Sequence, residues 1–254
     1  MLTNTKLGLA LLLFTVMAVN VAETAWETSL HSGAPVSAAD YRGAYAVQQF
    51  EPEFINFEFH DATVKWATYA YSTSYFILFP VLAIAVLVAL ARRREIAPFR
   101  VLCLAAAIDY AISLPWFLFF PVPERWAYPE SNAVLLSDQW TSALIDSIRP
   151  MSGLNNSFPS THVSLSVILI LVCWVFNVRF RTTVTALTTT VILATFVLGI
   201  HWLADIIAGL AVGALSVGIA WRFTDTSERH ELALESAYPL VHRKPRPARQ
   251  LAEA

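Results

Sequence analysis

The chain has 254 residues, of which 56% are hydrophobic and only 14% are charged, and its formal net charge is −2. Soluble domains carry about 25% charged residues, so this composition excludes an ordinary water-soluble enzyme and indicates a membrane protein. The net charge gives no indication of a nucleic-acid partner, because in a membrane protein the informative property is which loops contain lysine and arginine. Cys103 and Cys173 lie inside apolar segments, which predicts small buried residues and no disulfide framework.

Apolar runs of membrane-spanning length recur with no long polar module between them, so we predict one all-α, polytopic membrane domain. The first run, 7–22, is a signal peptide or a retained signal anchor, and a retained helix is favoured because a small-residue cleavage site is weak here. Residues 23–66 mix phenylalanine with glutamate, as in FEPEFINFEFHDATVKW, which favours an extracytoplasmic interfacial linker over a lid.

The membrane core is predicted to extend over residues 67–222. Within it we expect spans at 67–91, 98–120, 161–178, 182–198 and 200–221, because each is a run of mostly apolar residues. With the first run these make a six-transmembrane-helix bundle. If the first run is cleaved, the core spans remain and their orientation is unchanged.

Basic residues predict the orientation of these spans. Three arginines at 92–94 follow the second span, Arg179 and Arg181 follow the fourth, and the tail, 223–254, contains RKPRPAR. The positive-inside rule assigns these clusters to the cytoplasm, and the basic tail suits anionic lipid. We therefore predict a multi-pass protein of the cell membrane with both termini cytoplasmic.

This topology places two histidines at the extracytoplasmic ends of spans. His162 lies in SFPSTHVSLS at the start of the fourth span, and His201 lies in GIHWLAD at the start of the sixth. Asp205 follows His201 by four residues, and on a helix this spacing stacks the two side chains on one face. Such a carboxylate holds the imidazole in one tautomer and stabilises the charge that the ring acquires when it attacks phosphorus.

Groups that bind phosphate are predicted on the same side of the membrane. Pro159 suits the first turn of a helix, which leaves the amides of Ser160 and Thr161 free to bind an anion at the positive end of the helix dipole. His162, one residue further, is placed to give a proton to a leaving oxygen. Arg149 carries a planar guanidinium that suits a phosphate group. Each signal is weak alone, but their shared location predicts a site for phosphate chemistry.

Over residues 67–221 the chain resembles the type 2 phosphatidic acid phosphatase superfamily of integral-membrane lipid phosphatases and phosphotransferases. The matching residues are Arg149-Pro150, Pro159-Ser160-Thr161-His162, and His201 followed by Asp205. The resemblance implies a six-helix fold and metal-independent chemistry. It further implies His201 as the nucleophile that forms a phosphohistidine, Asp205 as its orienting partner and His162 as the general acid.

Two phosphate-binding cations of the family pattern are absent. The lysine of the first motif falls at Ser142, the glycine of the second at Thr161, and the Ser-Arg pair of the third at Ala194-Thr195. This pattern is more similar to the inositol phosphorylceramide synthase-like branch, where the basic residues diverge. FFPVPERW also resembles a Pro- and Trp-containing segment of that branch. We predict that Arg125, in this segment, replaces a missing cation at the substrate.

The sequence therefore predicts a lipid phosphate phosphatase or phosphotransferase; water and a second alcohol both remain open as acceptor. The lipid also remains open among phosphatidate, a prenyl phosphate and an inositol lipid. No cofactor or metal is predicted, because no Asp or Glu cluster faces the site. A non-catalytic lipid-binding or transport protein on the same scaffold is the alternative. Asp109, in the third span, is predicted to be structural.

Overall fold

The computed structural model describes residues 5–31, 41–51, 62–139 and 154–224. The predictions for Arg149 and for the basic tail beyond residue 224 lie outside these ranges. The helices are α1 (Lys6–His31), α2 (Tyr41–Gln48), α3 (Ala62–Thr73), α4 (Phe79–Ala91), α5 (Ala97–Phe119), α6 (Thr161–Val175), α7 (Arg181–Val197) and α8 (Leu203–Arg222). A π-helical turn, Ser74–Leu78, joins α3 to α4. The prediction of an all-α fold is confirmed for the described residues.

Four helical stretches in the described ranges are long and apolar enough to cross a membrane: Lys6–Glu27, Lys65–Ala91, Ala97–Phe119 and Leu203–Arg222. Helices α6 and α7 are apolar but shorter. At about 1.5 Å per residue, the 15 residues of α6 extend less far than the roughly 30 Å of a hydrocarbon layer. The six-span count therefore stays a prediction.

The first helix is longer than its apolar run predicts. It continues through residues 23–31, which the sequence places in the linker, and ends at His31. Glu27, on this extension, is buried, and its Oε1 accepts hydrogen bonds from the amides of Leu154 and Asn155 at 3.2 and 2.7 Å. These tertiary partners offset the penalty of burying a carboxylate, which explains why the helix extends beyond the apolar residues.

Helices α5, α6 and α8 pack together at the centre, and α1 packs against α5. Gly209 and Gly213 permit close contact between α8 and α6. A Cβ added at Gly209 would lie 2.6 Å from the Ser160 carbonyl oxygen, and one added at Gly213 would lie 2.5 Å from that of Ser164. Small residues on one helix face allow such backbone approach in membrane bundles. The contact seats the first turn of α6 on the first turns of α8.

Basic side chains gather at the end of the bundle opposite the two histidines. Lys6 Nζ donates to the carbonyl oxygens of Ala91 and Arg93 at 2.8 and 2.6 Å. Arg93 in turn donates to the carbonyl oxygen of Phe176, directly after α6, at 3.0 Å. His162 lies in the first turn of α6, at the other end of that helix. This placement agrees with the predicted sorting of charge, whereas the assignment of that end to the cytoplasm stays a prediction.

Candidate active site

One segment, 122–126, connects the loops that precede α6 and α8; its last two residues begin a 3₁₀ turn, Arg125–Ala127. Its backbone bonds to both loops through the pairs Val122 N–Asn155 O (2.9 Å), Ser157 N–Val122 O (3.0 Å), Arg125 N–Ile200 O (2.9 Å) and Trp126 N–Gly199 O (3.0 Å). Gly199 turns the chain between α7 and α8 with a φ of 75°, a conformation that favours glycine. Because the loop before α6 and the loop that contains His201 share one partner, backbone bonds fix the relative position of the two histidines.

His162 and His201 face each other at one end of the bundle. Their ring centroids are 6.2 Å apart. Both rings line a cavity of about 100 Å³, together with polar side chains that include Asn20, Asn156 and Ser157. A cavity needs about 10–15 Å³ of such space to hold one water molecule, so this one has room for several water molecules or for a small group such as a phosphate. The structure therefore brings together the two histidines that the predicted topology places on one side.

His201 is bound through one ring nitrogen. Its Nδ1 lies 3.3 Å from Asp205 Oδ2 and 3.0 Å from Ser157 Oγ. The Ser157 hydroxyl donates to the same Asp205 oxygen at 2.6 Å. Two acceptor oxygens beside Nδ1 favour the tautomer that carries its proton there, which leaves a lone pair on Nε2. His201 Nε2 is buried and has no hydrogen-bond partner among the described residues.

Asp205 reaches His201 for a reason other than helical stacking. Helix α8 begins at Leu203, so His201 precedes the helix and the expectation that both side chains share a helix face is wrong. Asp205 is the third residue of α8, and its Oδ2 accepts the amide of Trp202 at 3.0 Å. The carboxylate thus caps the start of α8, where the helix dipole favours negative charge. This capping turns Asp205 back toward the residue just before the cap, which is His201.

His162 is held by an aromatic partner. Its Nδ1 lies 3.2 Å from the hydroxyl oxygen of Tyr75, and the two rings stack at 4.2 Å with an angle of 24° between them. Tyr75 belongs to the π-helical turn, a type of irregularity that is frequent at functional sites. When the Tyr75 hydroxyl donates to Nδ1, a neutral His162 ring carries its proton on Nε2. This tautomer suits a proton donor.

The predicted anion site at the start of α6 is only partly present. The amide of Ser160 donates to the carbonyl oxygen of Asp205 at 3.2 Å, so the prediction that this amide is free is wrong. Ser160 is instead the buried N-cap of α6, and its Oγ accepts the amide of Val163 at 3.4 Å. Thr161 lines the cavity. Its amide belongs to the first helical turn, whose N–H groups have no acceptor within the helix.

Arg125 lies beside the site but is not among the described residues that line the cavity. Its guanidinium packs over the ring of Phe196 at 5.5 Å. Burial lowers the pKa of Arg125, and the nearby charge of Glu51 raises it. Burial also raises the pKa of Glu51 above its ordinary 4.5. Two effects oppose this rise: the hydrogen bond that Glu51 accepts from the Leu203 amide, and the charge of Arg125. A substrate contact by Arg125 stays a prediction.

The cavity carries little positive charge in the part of the chain that the structure describes. None of its described lining residues is lysine or arginine, and Glu124 contributes a carboxylate that accepts the indole N–H of Trp126. The two histidines and the start of α6 are therefore the described groups that attract an anion there.

Ser157 and Tyr75 belong to the site although neither is predicted from the sequence. Ser157 stands two residues before Pro159 in SFPS, so its place next to a candidate motif was an available signal. Tyr75 lies in a long apolar segment among other aromatic residues, and nothing local distinguishes it. Its contact with His162 depends on how α6 packs against the π-helical turn.

An apolar helical bundle in which two histidines line a small cavity, one of them held by the Asp205 carboxylate, defines an integral-membrane protein with a paired-histidine site. The family model of the PAP2 superfamily matches residues 8–229, and the chain belongs to this family. Neither a curated protein nor a solved structure matches the chain. Membership suggests phosphatase or phosphotransferase activity on lipid phosphates, together with embedding in a membrane. The closer resemblance to the inositol phosphorylceramide synthase-like branch stays a prediction.

Proposed function

We propose that the protein is a lipid phosphate phosphatase or phosphotransferase that acts through a phosphohistidine on His201 at the extracytoplasmic face. The observation that carries this proposal is the state of the His201 ring. Its Nδ1 is bound by Asp205 and Ser157, whereas its Nε2 is buried beside the cavity with no partner in the described ranges. Buried polar atoms are normally hydrogen-bonded, so this nitrogen is placed to meet an atom of a substrate.

In the first step, His201 Nε2 attacks the phosphorus atom of the lipid phosphate. The P–N bond forms as the P–O bond to the lipid breaks. His162 gives its Nε2 proton to the departing oxygen, so that the lipid leaves as an alcohol. The Asp205 carboxylate stabilises the positive charge that the His201 ring acquires.

In the second step, water or a second alcohol attacks the phosphorus atom and the P–N bond breaks. His162, which gave up its proton in the first step, accepts the proton of the attacking hydroxyl and is restored. Thr161, Arg149 and Arg125 are proposed to bind the phosphate oxygens, since an amide at a helix start and planar guanidinium groups suit that role. No step is assigned to a metal ion.

We also propose that the substrate is closer to a phosphodiester, as in the inositol phosphorylceramide synthase-like branch. The Glu124 carboxylate lines the cavity. It repels a doubly charged phosphate monoester more strongly than a singly charged diester. The segment FFPVPERW, which is part of the resemblance to that branch, bonds through its backbone to the loop before α6 and to the loop that contains His201. A non-catalytic lipid-binding protein on the same scaffold is the competing proposal, favoured by the scarcity of cations around the cavity.

The test is turnover by purified protein of a panel of lipid phosphates and phosphodiesters, with a chelator present. We expect release of phosphate from a monoester, release of a phosphate monoester from a diester, or formation of a new lipid. All of these should be lost in His201→Ala and fall at least 100-fold in His162→Ala and Asp205→Ala. Ser166→Ala is the control, because its hydroxyl is buried and has no partner among the described residues.

The outcomes separate the proposals. If no member of the panel is converted, the binding-protein proposal is favoured. Full activity in His201→Ala contradicts the phosphohistidine mechanism. Activity that disappears with the chelator contradicts the metal-free mechanism.

A further inference from the structure

A second cavity, of about 370 Å³, opens from the histidine site into the bundle. Asn20, Thr161 and His162 line both cavities. The walls of the second cavity are otherwise mostly leucine, isoleucine, valine, methionine, alanine and phenylalanine, contributed by α1, α4, α5 and α6. Ligand pockets range over roughly 300–1,000 Å³, and this one lies near the small end of that range. Apart from the buried Asp109 and Tyr110, which also line it, it is an apolar compartment attached to a polar one.

The lining residues give the direction of this cavity. Its end near the histidines is marked by Asn20, Phe79, Tyr110 and Thr161, and its far end by Leu13, Leu87, Leu102 and Leu169. On α4, α5 and α6 the two ends are eight residues apart, which corresponds to about 12 Å at 1.5 Å per residue. All four helices agree on this direction, so the cavity runs along the helix axes from His162 toward the basic end of the bundle.

The cavity also opens sideways. Two of its lining side chains, Met17 on α1 and Ile84 on α4, are 62% and 60% exposed. Helix α1 packs against α5, and the exposed Met17 and Ile84 mark the opening between α1 and α4. In a membrane-spanning bundle this opening faces lipid, so a chain that enters there does not cross water.

We propose that this cavity binds the hydrocarbon chain of the substrate. The lipid enters between α1 and α4, and its phosphate then lies at His162. The proposal rests on the proposed function and specifies the substrate as a lipid whose phosphate carries a single hydrocarbon chain. An extended chain advances about 1.2 Å per bond, so about ten bonds fit in 12 Å. The small volume disfavours two chains side by side.

Ala106 is the residue that tests the length of the cavity. It lines the cavity on α5, four residues from Tyr110, so a large side chain there blocks the cavity about halfway along. Ala111, on the same helix, is exposed and is absent from the described lining of the cavity, which makes Ala111→Phe a matched control for Ala106→Phe.

The experiment compares turnover of hexadecyl and butyl esters by the full chain in lipid nanodiscs, each ester supplied both as the phosphate monoester and as the methyl phosphodiester. We expect Ala106→Phe to lower the ratio of hexadecyl to butyl turnover about tenfold or more, because overpacking excludes the long chain but leaves room for the short one. Ala111→Phe should leave the ratio within twofold of wild type. An unchanged ratio in Ala106→Phe overturns the proposal. Absence of turnover of all four esters by the wild type, or persistence of their turnover in His201→Ala, contradicts the proposed function instead.

Photolabelling gives a second measurement that does not depend on the folding of a variant. A hexadecyl phosphate with a diazirine about ten bonds from phosphorus is irradiated on wild-type protein, and the labelled residues are mapped by mass spectrometry. We expect labels concentrated at the far end of the cavity, around Leu13, Leu87 and Leu102. Labels spread instead over lipid-facing residues such as Leu193 and Leu210 overturn the proposal, because both are exposed on other helices.

Discussion

Replacing Ser157 with alanine tests the contact that joins the loop before α6 to His201 and Asp205. The Ser157 hydroxyl donates to Asp205 Oδ2 at 2.6 Å and lies 3.0 Å from His201 Nδ1, and its residue is 1% exposed. A hydrogen bond to a charged group contributes about 1.5–3 kcal/mol. If that amount is lost only in the transition state, turnover falls by about 10- to 150-fold, since 1.36 kcal/mol corresponds to a factor of ten.

The assay measures turnover and the unfolding midpoint of Ser157→Ala beside Ser166→Ala. Both changes delete one buried hydroxyl, but that of Ser166 has no partner among the described residues. We expect Ser166→Ala to keep full turnover with equal or higher stability, because an unsatisfied buried hydroxyl is unfavourable. A folded Ser157→Ala protein with wild-type turnover would show that this contact does not position His201, and the reasoning would be refuted.

Three further predictions concern the supports of the site. Gly209→Ala should lower the unfolding midpoint and turnover, because its Cβ would lie 2.6 Å from the Ser160 carbonyl oxygen. Gly218→Ala is the control: its Cβ would have no atom within 4 Å, so the change should be neutral or stabilising by up to about 1 kcal/mol. Tyr75→Phe keeps the stacked ring but removes the hydroxyl 3.2 Å from His162, so kcat should fall severalfold with little change in KM. The pKa of Glu51 is raised above 4.5 in the folded protein, so its ionisation destabilises the fold as the pH rises above 4.5. Glu51→Gln should therefore become increasingly more stable than wild type as the pH rises, which thermal melts at several pH values measure. The three predictions would be contradicted, respectively, by a Gly209→Ala protein with wild-type stability and turnover, by an unchanged kcat in Tyr75→Phe, and by a stability difference between Glu51→Gln and wild type that does not change with pH.

The convergence of the two histidines was predictable because it depends on features that extend over many residues. Apolar run lengths and clusters of arginine place His162 and His201 on one side of a bundle without any knowledge of packing. The structure adds that the loop before α6 and the loop that contains His201 bond to the same segment, 122–126. The family pattern was visible for the same reason, since its residues lie in short motifs next to helix starts.

The details of the site were not predictable from spacing. The contact between His201 and Asp205 arises from helix capping, and it depends on α8 beginning at Leu203, a boundary that an apolar run does not specify to the residue. The amide of Ser160 bonds to Asp205 because Gly209 lets α6 approach α8 closely. Helix α1 extends to His31 because Glu27 finds partners far along the chain. Each of these facts depends on tertiary contacts that a local pattern does not contain.

The central claim is that His201 Nε2 forms a covalent bond to phosphorus. The most direct measurement is to mix the protein with a lipid ester whose phosphate is radiolabelled, to quench within the first turnover, and to map the label by mass spectrometry. We predict an acid-labile, base-stable label on the peptide that contains His201, and none on His201→Ala. Rapid turnover with no label on that peptide, or a His201→Ala protein that still converts the lipid, would contradict the account.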